Sequence, residues 1–269
     1  MEALIKRIER IDQVISIGYG GSRGLKLNNE NSDFDIIIYH NEKNPLNFSS
    51  LKNYLNPILE ENKVKLIANF ITGEFEGKKF ELFQKNIATV NDEIRHSKEG
   101  KFRYMPRRLF PHGYISTSLL SHINHLDLIV DKNFTLKAMR NSISIYPKKL
   151  MVSLLNYFFR EAQITLIHAK KINKDAHVYN LVSLISFYFF YIDVVLFTVN
   201  REYPVLEKGG LALLNNFEYK ILDYERLKKD IYIAALNSEI TKCVNLMSEI
   251  EKDADSLIKI STTKYKEPI

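Results

Sequence analysis

The spacing of apolar residues switches between 3.6 and 2 over the first 115 positions and then stays helical. Leu4, Ile5, Ile8 and Ile11 fall on one face and predict an amphipathic helix over about 2–11. Two short runs rich in β-branched and aromatic residues follow, VISIGY (Val14 to Tyr19) and FDIIIY (Phe34 to Tyr39), and each reads as a strand. A helix is expected over about 50–62, carrying Leu51, Leu55, Ile58 and Leu59, with strands near 64–71 and 79–84. ITGEFEGKK reads as a hairpin turn with Gly73 and Gly77, and Asn86 as the cap of a helix bearing Ile87, Val90 and Ile94. The pattern predicts a mixed sheet with helices.

Beyond about residue 115 the strand signals fade. Ser116 or Thr117 can cap a helix with Leu119, Leu120, Ile123 and Leu126, and Pro147 suits the first turn of a long one ending near Lys171. Along it Leu150, Leu154, Phe158, Ala162 and Leu166 recur four apart. Asp175 can cap a helix running to about Val199, and further helices fit 207–216, 224–236 and 238–260. Five or more helices on short loops make a bundle. The fold class is therefore α+β: a mixed-sheet domain over 1–115 followed by a helical bundle over 116–269, with the boundary somewhere in 110–145. The stretch Leu181 to Val199 approaches the roughly 20 residues that span a bilayer. It contains Asp193 and several Ser and Tyr residues, so it reads as a buried bundle helix, and no membrane partner is expected.

Composition adds few constraints. Of 269 residues 45% are hydrophobic, with 16 Phe and 15 Tyr, enough for a substantial core. The single cysteine, Cys243, excludes an intramolecular disulfide and fits a reducing cytosol. The amphipathic start MEALIKRIERI lacks the apolar core of a secretory signal, so a cytoplasmic location is expected. The net charge of +6 is spread along the chain. Its densest part, RHSKEGKFRYMPRR, could grip polyphosphate or RNA, and reads first as a solvated loop. His122 and His125 lie three apart on one expected helix but lack a third ligand, so with His112 they read as cleft or surface residues.

The chemistry concentrates in GYGGSRGLKLNNENSDFDIII, residues 18–38. Asp33 and Asp35 are separated by one residue, so in a strand both carboxylates point to the same face. Two hard oxygen ligands at one point suit Mg²⁺, which takes one or two carboxylates together with substrate phosphates. Gly20 and Gly21 let the backbone approach a ligand closely. Ser22 offers a hydroxyl and an amide near an expected helix start, where free N–H groups favour anions. A further acid would complete the metal site or take a proton from an attacking hydroxyl. Glu81 in KKFELFQK is the best candidate, because Phe80 and Leu82 flank it on the opposite face of a short strand; Glu74 and Glu76 compete.

Strand, Gly21-Ser22-Arg23-Gly24, and Ser32-Asp33-Phe34-Asp35 leading into a second strand: this unit resembles the nucleotidyltransferase superfamily that includes DNA polymerase beta, and its small-molecule branch in particular. Glu81 matches the position of that family's third acid, which in several antibiotic nucleotidyltransferases looks like a general base. LFTVNREYPVLEKGGL resembles a segment of the helical half in which Asn200, Arg201, Tyr203 and Lys208 hold the matching positions, and RRLFPHGYISTSLLSHINHLDLIVDKN has the look of the linking region. The resemblance implies Asp33, Asp35 and Glu81 as catalytic and metal-binding residues. It also implies a nucleotide site of Gly21, Ser22, Arg23, Lys208 and Arg201, with the nucleoside triphosphate, ATP by expectation, in a cleft between the two domains. The implied reaction is Mg²⁺-dependent transfer of AMP to a hydroxyl of a small molecule such as an antibiotic, with release of pyrophosphate. A polycationic aminoglycoside fits less well with the basic chain. A toxin-like enzyme acting on tRNA or a protein, and a nucleotide-binding regulatory module without turnover, remain alternatives. Whether Glu81 is base or metal ligand, and the oligomeric state, stay open.

Overall fold

The computed structural model describes residues 1–41, 46–59, 64–67, 70–107, 110–172, 178–205 and 209–264. By contacts the chain forms two units, Met1–Arg95 with Leu119–Ile145, and His96–Ser118 with Tyr146–Ile269. The chain thus passes between units near 95, 118 and 145, where the sequence pattern suggested one cut at 115/116.

The first unit is built on a six-stranded sheet. Its strands are β1 (Val14–Tyr19), β2 (Phe34–His40), β3 (Lys65–Ile67), β4 (Phe70–Phe75), β5 (Lys78–Asn86) and β8 (Asp127–Asp131), in the order β3-β4-β5-β2-β1-β8. β2 and β5 run parallel, and the other pairs are antiparallel. Strand alternation sorts the side chains between two faces. Ile17, Ile36, Ile38, Ile71, Phe80 and Leu82 share one core with Leu4, Ile5 and Ile8 of helix α1 (Glu2–Glu9) and with Leu51 and Leu55 of α3 (Phe48–Leu55). A bulge between Val14 and Ser16 returns Val14 to that same core. The other face carries Gly18, Asp35, Ile37, Tyr39 and Glu81. Gly18 has no room for a side chain, because a Cβ there would meet Leu126 Cγ at 2.5 Å.

Several elements match the sequence pattern closely, including β1, β2 and α4 (Ile87–Lys98), whose start is capped by Asn86 Oδ1 accepting from Ala88 N at 2.8 Å. The hairpin turn differs: Glu76 and Gly77, at φ +52° and +72°, make the two-residue link, while Gly73 and Glu74 lie inside β4. β8 was not anticipated at all. Asp131 fixes it in place, accepting from Ser16 Oγ at 2.7 Å on β1 and from the amides of Leu136 and Lys137 at 3.0 Å at the start of α6 (Thr135–Ser142). Arg140 of α6 donates to the carbonyls of Ile123 and Leu126 at the end of α5 (Ser118–His125).

The second unit is mostly helical. The basic stretch read as a loop instead starts in the last turn of α4 and runs into β6 (Tyr104–Arg107), which pairs with β7 (Phe110–Ile115). Long helices α7 (Lys148–Lys170) and α8 (Val178–Val199) pack together, joined by α9 (Gly210–Asn215), α10 (Tyr224–Leu236) and α11 (Ile240–Thr263). Pro147 stands at the N-cap of α7, and the expected cap Asp175 lies outside the described residues. By length and composition α8 could cross a membrane, yet its side chains are mostly buried in this unit. Its one acid explains how: Asp193 accepts from Lys228 Nζ at 2.7 and 2.8 Å and from Tyr224 OH at 2.9 Å. Tyr188 donates to the Met247 carbonyl at 2.7 Å. Cys243 is buried, as a packing residue would be, and burial pushes its thiol pKa up.

Candidate active site

The Gly-Ser segment and the Asp strand are held together by the backbone. Gly20 N donates to the Asp35 carbonyl at 2.8 Å, so the chain leaving β1 is tied to β2 just before the one-turn helix α2 (Gly21–Gly24) begins. Gly24 and Leu25 make the first helical bonds, to the carbonyls of Gly20 and Gly21. The amides of Gly21, Ser22 and Arg23 are left without acceptors inside the helix. Among the described residues the half-buried Ser22 makes no side-chain hydrogen bond.

Gly21 is the tightest point. Its φ is +53°, and a Cβ built on it would overlap Oδ2 of Asp35 and lie 2.8 Å from its Cγ. The backbone here runs directly over a half-buried carboxylate, which only glycine permits. Asp35 in turn stands opposite Glu81 in the parallel register of β2 and β5, and Glu81 stands opposite Thr72 on β4. Asp35, Glu81 and Thr72 therefore form one row across the sheet, on the face away from the Ile36–Phe80 core. Asp33 lies just before β2 and is exposed.

Arg23 works on the loop that presents Asp33. Its Nη2 donates to the Ser32 carbonyl at 2.9 Å and its Nε to the Asp33 carbonyl at 3.3 Å. The guanidinium lies 3.6 Å over the Phe34 ring, a close cation–π contact. Ser32 Oγ accepts from Asn29 N at 2.9 Å and closes the loop on itself. The serine of Ser32-Asp33-Phe34-Asp35 is thus a loop staple, and Arg23 is the strut between that loop and α2.

Residues 1–95 match the family model for the nucleotidyltransferase domain. The enzyme class read from the motif follows from that match, and the mixed sheet followed by a helical region accords with the expected α+β class. Among solved structures the chain is similar to a nucleotidyltransferase-like protein from Exiguobacterium sibiricum 255-15, at 6% identity and a TM-score of 0.45 over 100% of this chain and 80% of that one. It is also similar to a spectinomycin adenyltransferase from Enterococcus faecialis, solved with ATP and spectinomycin, at 14% identity and a TM-score of 0.37 over 95% and 99% of the two chains. No curated protein matches.

Within residues 1–95 the donor set can be compared with the metal it would take. All donors are carboxylate oxygens, which suits Mg²⁺. Among the described residues no three His, Cys, Asp or Glu side chains come close enough to hold an ion unaided. A metal held there by Asp33 and Asp35 would need phosphate oxygens and water as its remaining ligands, and Glu81 stands in register with Asp35. The histidine pair is likewise no metal site. Burial, the nearby Lys85 and His125 push His122 down to about 4, so it is neutral near pH 7.

The other expected site residues belong to the second unit. Lys208 lies outside the described residues. Arg201 sits at φ +59° in the turn that ends α8. Next to it, Asn200 has a structural role that its motif did not reveal. Its Nδ2 donates to the carbonyls of Leu196 at 2.8 Å and Tyr219 at 2.7 Å, and its Oδ1 accepts from Tyr219 N at 2.9 Å. Tyr203 is buried, 4.9 Å from the Tyr146 ring.

Proposed function

We propose that this protein transfers AMP from ATP to a hydroxyl group of a small molecule, with release of pyrophosphate. The observation that carries the reading is the approach of the Gly21 backbone to the Asp35 carboxylate, with Glu81 in register beside it. The amides of Gly21, Ser22 and Arg23 and the Ser22 hydroxyl bind phosphate oxygens of the nucleotide. Arg23 holds the 32–33 loop so that Asp33 stays next to Asp35. Asp33 and Asp35, together with phosphate oxygens, would hold Mg²⁺, which would supply neutralising charge for the transferring phosphoryl group. Glu81 removes the proton from the acceptor hydroxyl. The acceptor oxygen forms a bond to the α-phosphorus, the bond from that phosphorus to the β-phosphate bridging oxygen breaks, and pyrophosphate carries the electron pair away.

A small-molecule acceptor such as a hydroxylated antibiotic is the reading favoured by the family resemblance of the motif. The test is incubation of the full chain with ATP labelled at the α-phosphate and Mg²⁺, in parallel with a hydroxylated antibiotic panel and with total RNA and protein. Label in the small-molecule pool supports the proposal. Label in RNA or protein moves the acceptor to a macromolecule. Tight Mg–ATP binding with no labelled product in any pool replaces turnover with a regulatory role.

A further inference from the structure

Helix α8 turns one stripe of its surface to a cavity in the second unit. Ser186, Phe189, Phe190, Asp193, Val194 and Phe197 recur at the three- and four-residue steps that share a helix face, and they line a space of about 340 Å³. Leu211 and Leu214 of α9, Lys228 and Tyr232 of α10 and His112 of β7 also line it. Most of this wall is apolar. An apolar cavity of about 150 Å³ takes one benzene ring, so this one has room for two fused rings.

The polar groups in the wall are few, and most are already matched. Both oxygens of Asp193 accept from Lys228 Nζ, at 2.7 and 2.8 Å, and one also accepts from Tyr224 OH. This pair is largely removed from water, with Lys228 17% and Asp193 31% exposed, and its two charges cancel. Ser186 Oγ and Tyr232 OH are hydrogen-bonded to each other at 2.9 Å. His112 differs. Its ring is held beside Phe187 and Phe190, with centroids 5.4 and 5.8 Å away. Among the described residues its Nδ1 is buried with no hydrogen-bond partner. Burial lowers the His112 pKa, with Asp193 opposing in part, so the imidazole is neutral near pH 7. A neutral imidazole offers one donor and one acceptor. A buried polar atom left unmatched costs free energy that a bound group can restore. The wall as a whole carries no net charge, so a charged ligand would lose its hydration here without a free counter-charge.

We propose that this cavity binds a neutral molecule of one or two fused aromatic rings bearing a hydroxyl group, with the rings among Phe189, Phe190 and Phe197 and the hydroxyl bonded to the His112 imidazole. The site lies wholly within the second unit and does not rest on nucleotidyl transfer, so either reading can fail without the other.

The probe is 2-naphthol, compared with naphthalene, which lacks the hydroxyl, and with 2-naphthoate, an anion at pH 7. Each is titrated with the full chain and followed by its own fluorescence. 2-Naphthol is expected to bind saturably and about fivefold more tightly than naphthalene, the worth of one hydrogen bond. It should bind about tenfold or more tightly than 2-naphthoate. Leu211→Trp puts a larger side chain into the cavity and is expected to weaken 2-naphthol about tenfold or more. His112→Phe keeps a ring and removes both nitrogens, so 2-naphthol should fall to the affinity of naphthalene, with naphthalene itself unchanged. No saturable binding of 2-naphthol, equal binding of 2-naphthol and either comparison compound, or unchanged 2-naphthol affinity in Leu211→Trp would each overturn the proposal. The three-compound comparison uses the unaltered protein and holds even if a variant fails to fold.

Discussion

Asp35 and Glu81 stand directly opposite one another on β2 and β5, the only parallel pair among the described strands. That register brings together two acids 46 positions apart in sequence. It also separates their surroundings. Asp35 has the Gly21 backbone pressed on it, whereas Glu81 looks across to Thr72. The two acids therefore have different neighbours, and their substitutions should differ in kind.

Asp35→Asn is expected to abolish transfer and weaken Mg–ATP binding, because a neutral amide is a poor ligand for a hard cation. Glu81→Gln is expected to leave Mg–ATP binding within about threefold and lower kcat by roughly 10²–10⁴, the range for loss of a general base. Calorimetric Mg–ATP titration and single-turnover kinetics of both variants check this. If Glu81→Gln lost nucleotide affinity as steeply as Asp35→Asn, Glu81 would be a metal ligand instead.

Gly21→Ala places a methyl group where the Asp35 carboxylate sits, at a backbone φ of +53°. The backbone term alone costs about 1–2 kcal/mol for an L-residue. The overlap must then be relieved by moving Asp35 or the turn. The expected outcome is a lower melting temperature together with loss of activity beyond what lower stability explains. Gly77→Ala is the control, since φ there is also positive, at +72°, but nothing lies within 4 Å of the added Cβ. It should lose stability and keep activity.

The parts of this site that could be read from sequence were those set by local spacing. Strand alternation placed Glu81 opposite Phe80 and Leu82, and Asn86 announced its cap in the same way. β8 escaped because its pairing with β1 is non-local, and the β6–β7 hairpin because its charged residues mask the strand pattern. DLIVD reads as a strand only once Ser16 and the α6 amides are seen to meet Asp131. Tyr104 and Met105 find their partners Ile115 and Tyr114 across a stretch whose charges suggest solvent. Residue type can also mislead about what a side chain does. Ser32 and Asn200 are positions of the quoted motifs, and in the fold both satisfy backbone groups.

Arg23→Ala should act through the loop. It removes two hydrogen bonds to the Ser32 and Asp33 carbonyls and the guanidinium stacked on Phe34. The expected result is a several-fold rise in the Mg²⁺ concentration needed for half-maximal activity, with a stability loss of about 1 kcal/mol. Lys keeps the charge but has no planar fork, so Arg23→Lys should recover little of the loss. Full recovery by Lys would mean that Arg23 acts as a charge toward phosphate and not as a strut.

His122 gives the fold a pH dependence separate from the chemistry. Its folded pKa is pushed to about 4, first by burial and then by Lys85 and His125, against an ordinary value of 6.5. A lowered histidine pKa means that the unfolded chain binds the proton more readily. The contribution to stability is full above about pH 6.5 and falls as pH drops toward 4. Over that window the loss is roughly 2–3 kcal/mol, at 1.36 kcal/mol per pKa unit. His122→Gln removes the titrating group. Denaturant unfolding of both proteins at several values between pH 7 and pH 4.5 should show the original chain losing stability faster, by roughly 2 kcal/mol across the interval. Parallel curves would mean that the imidazole accepts its proton in the folded state as easily as in the unfolded one.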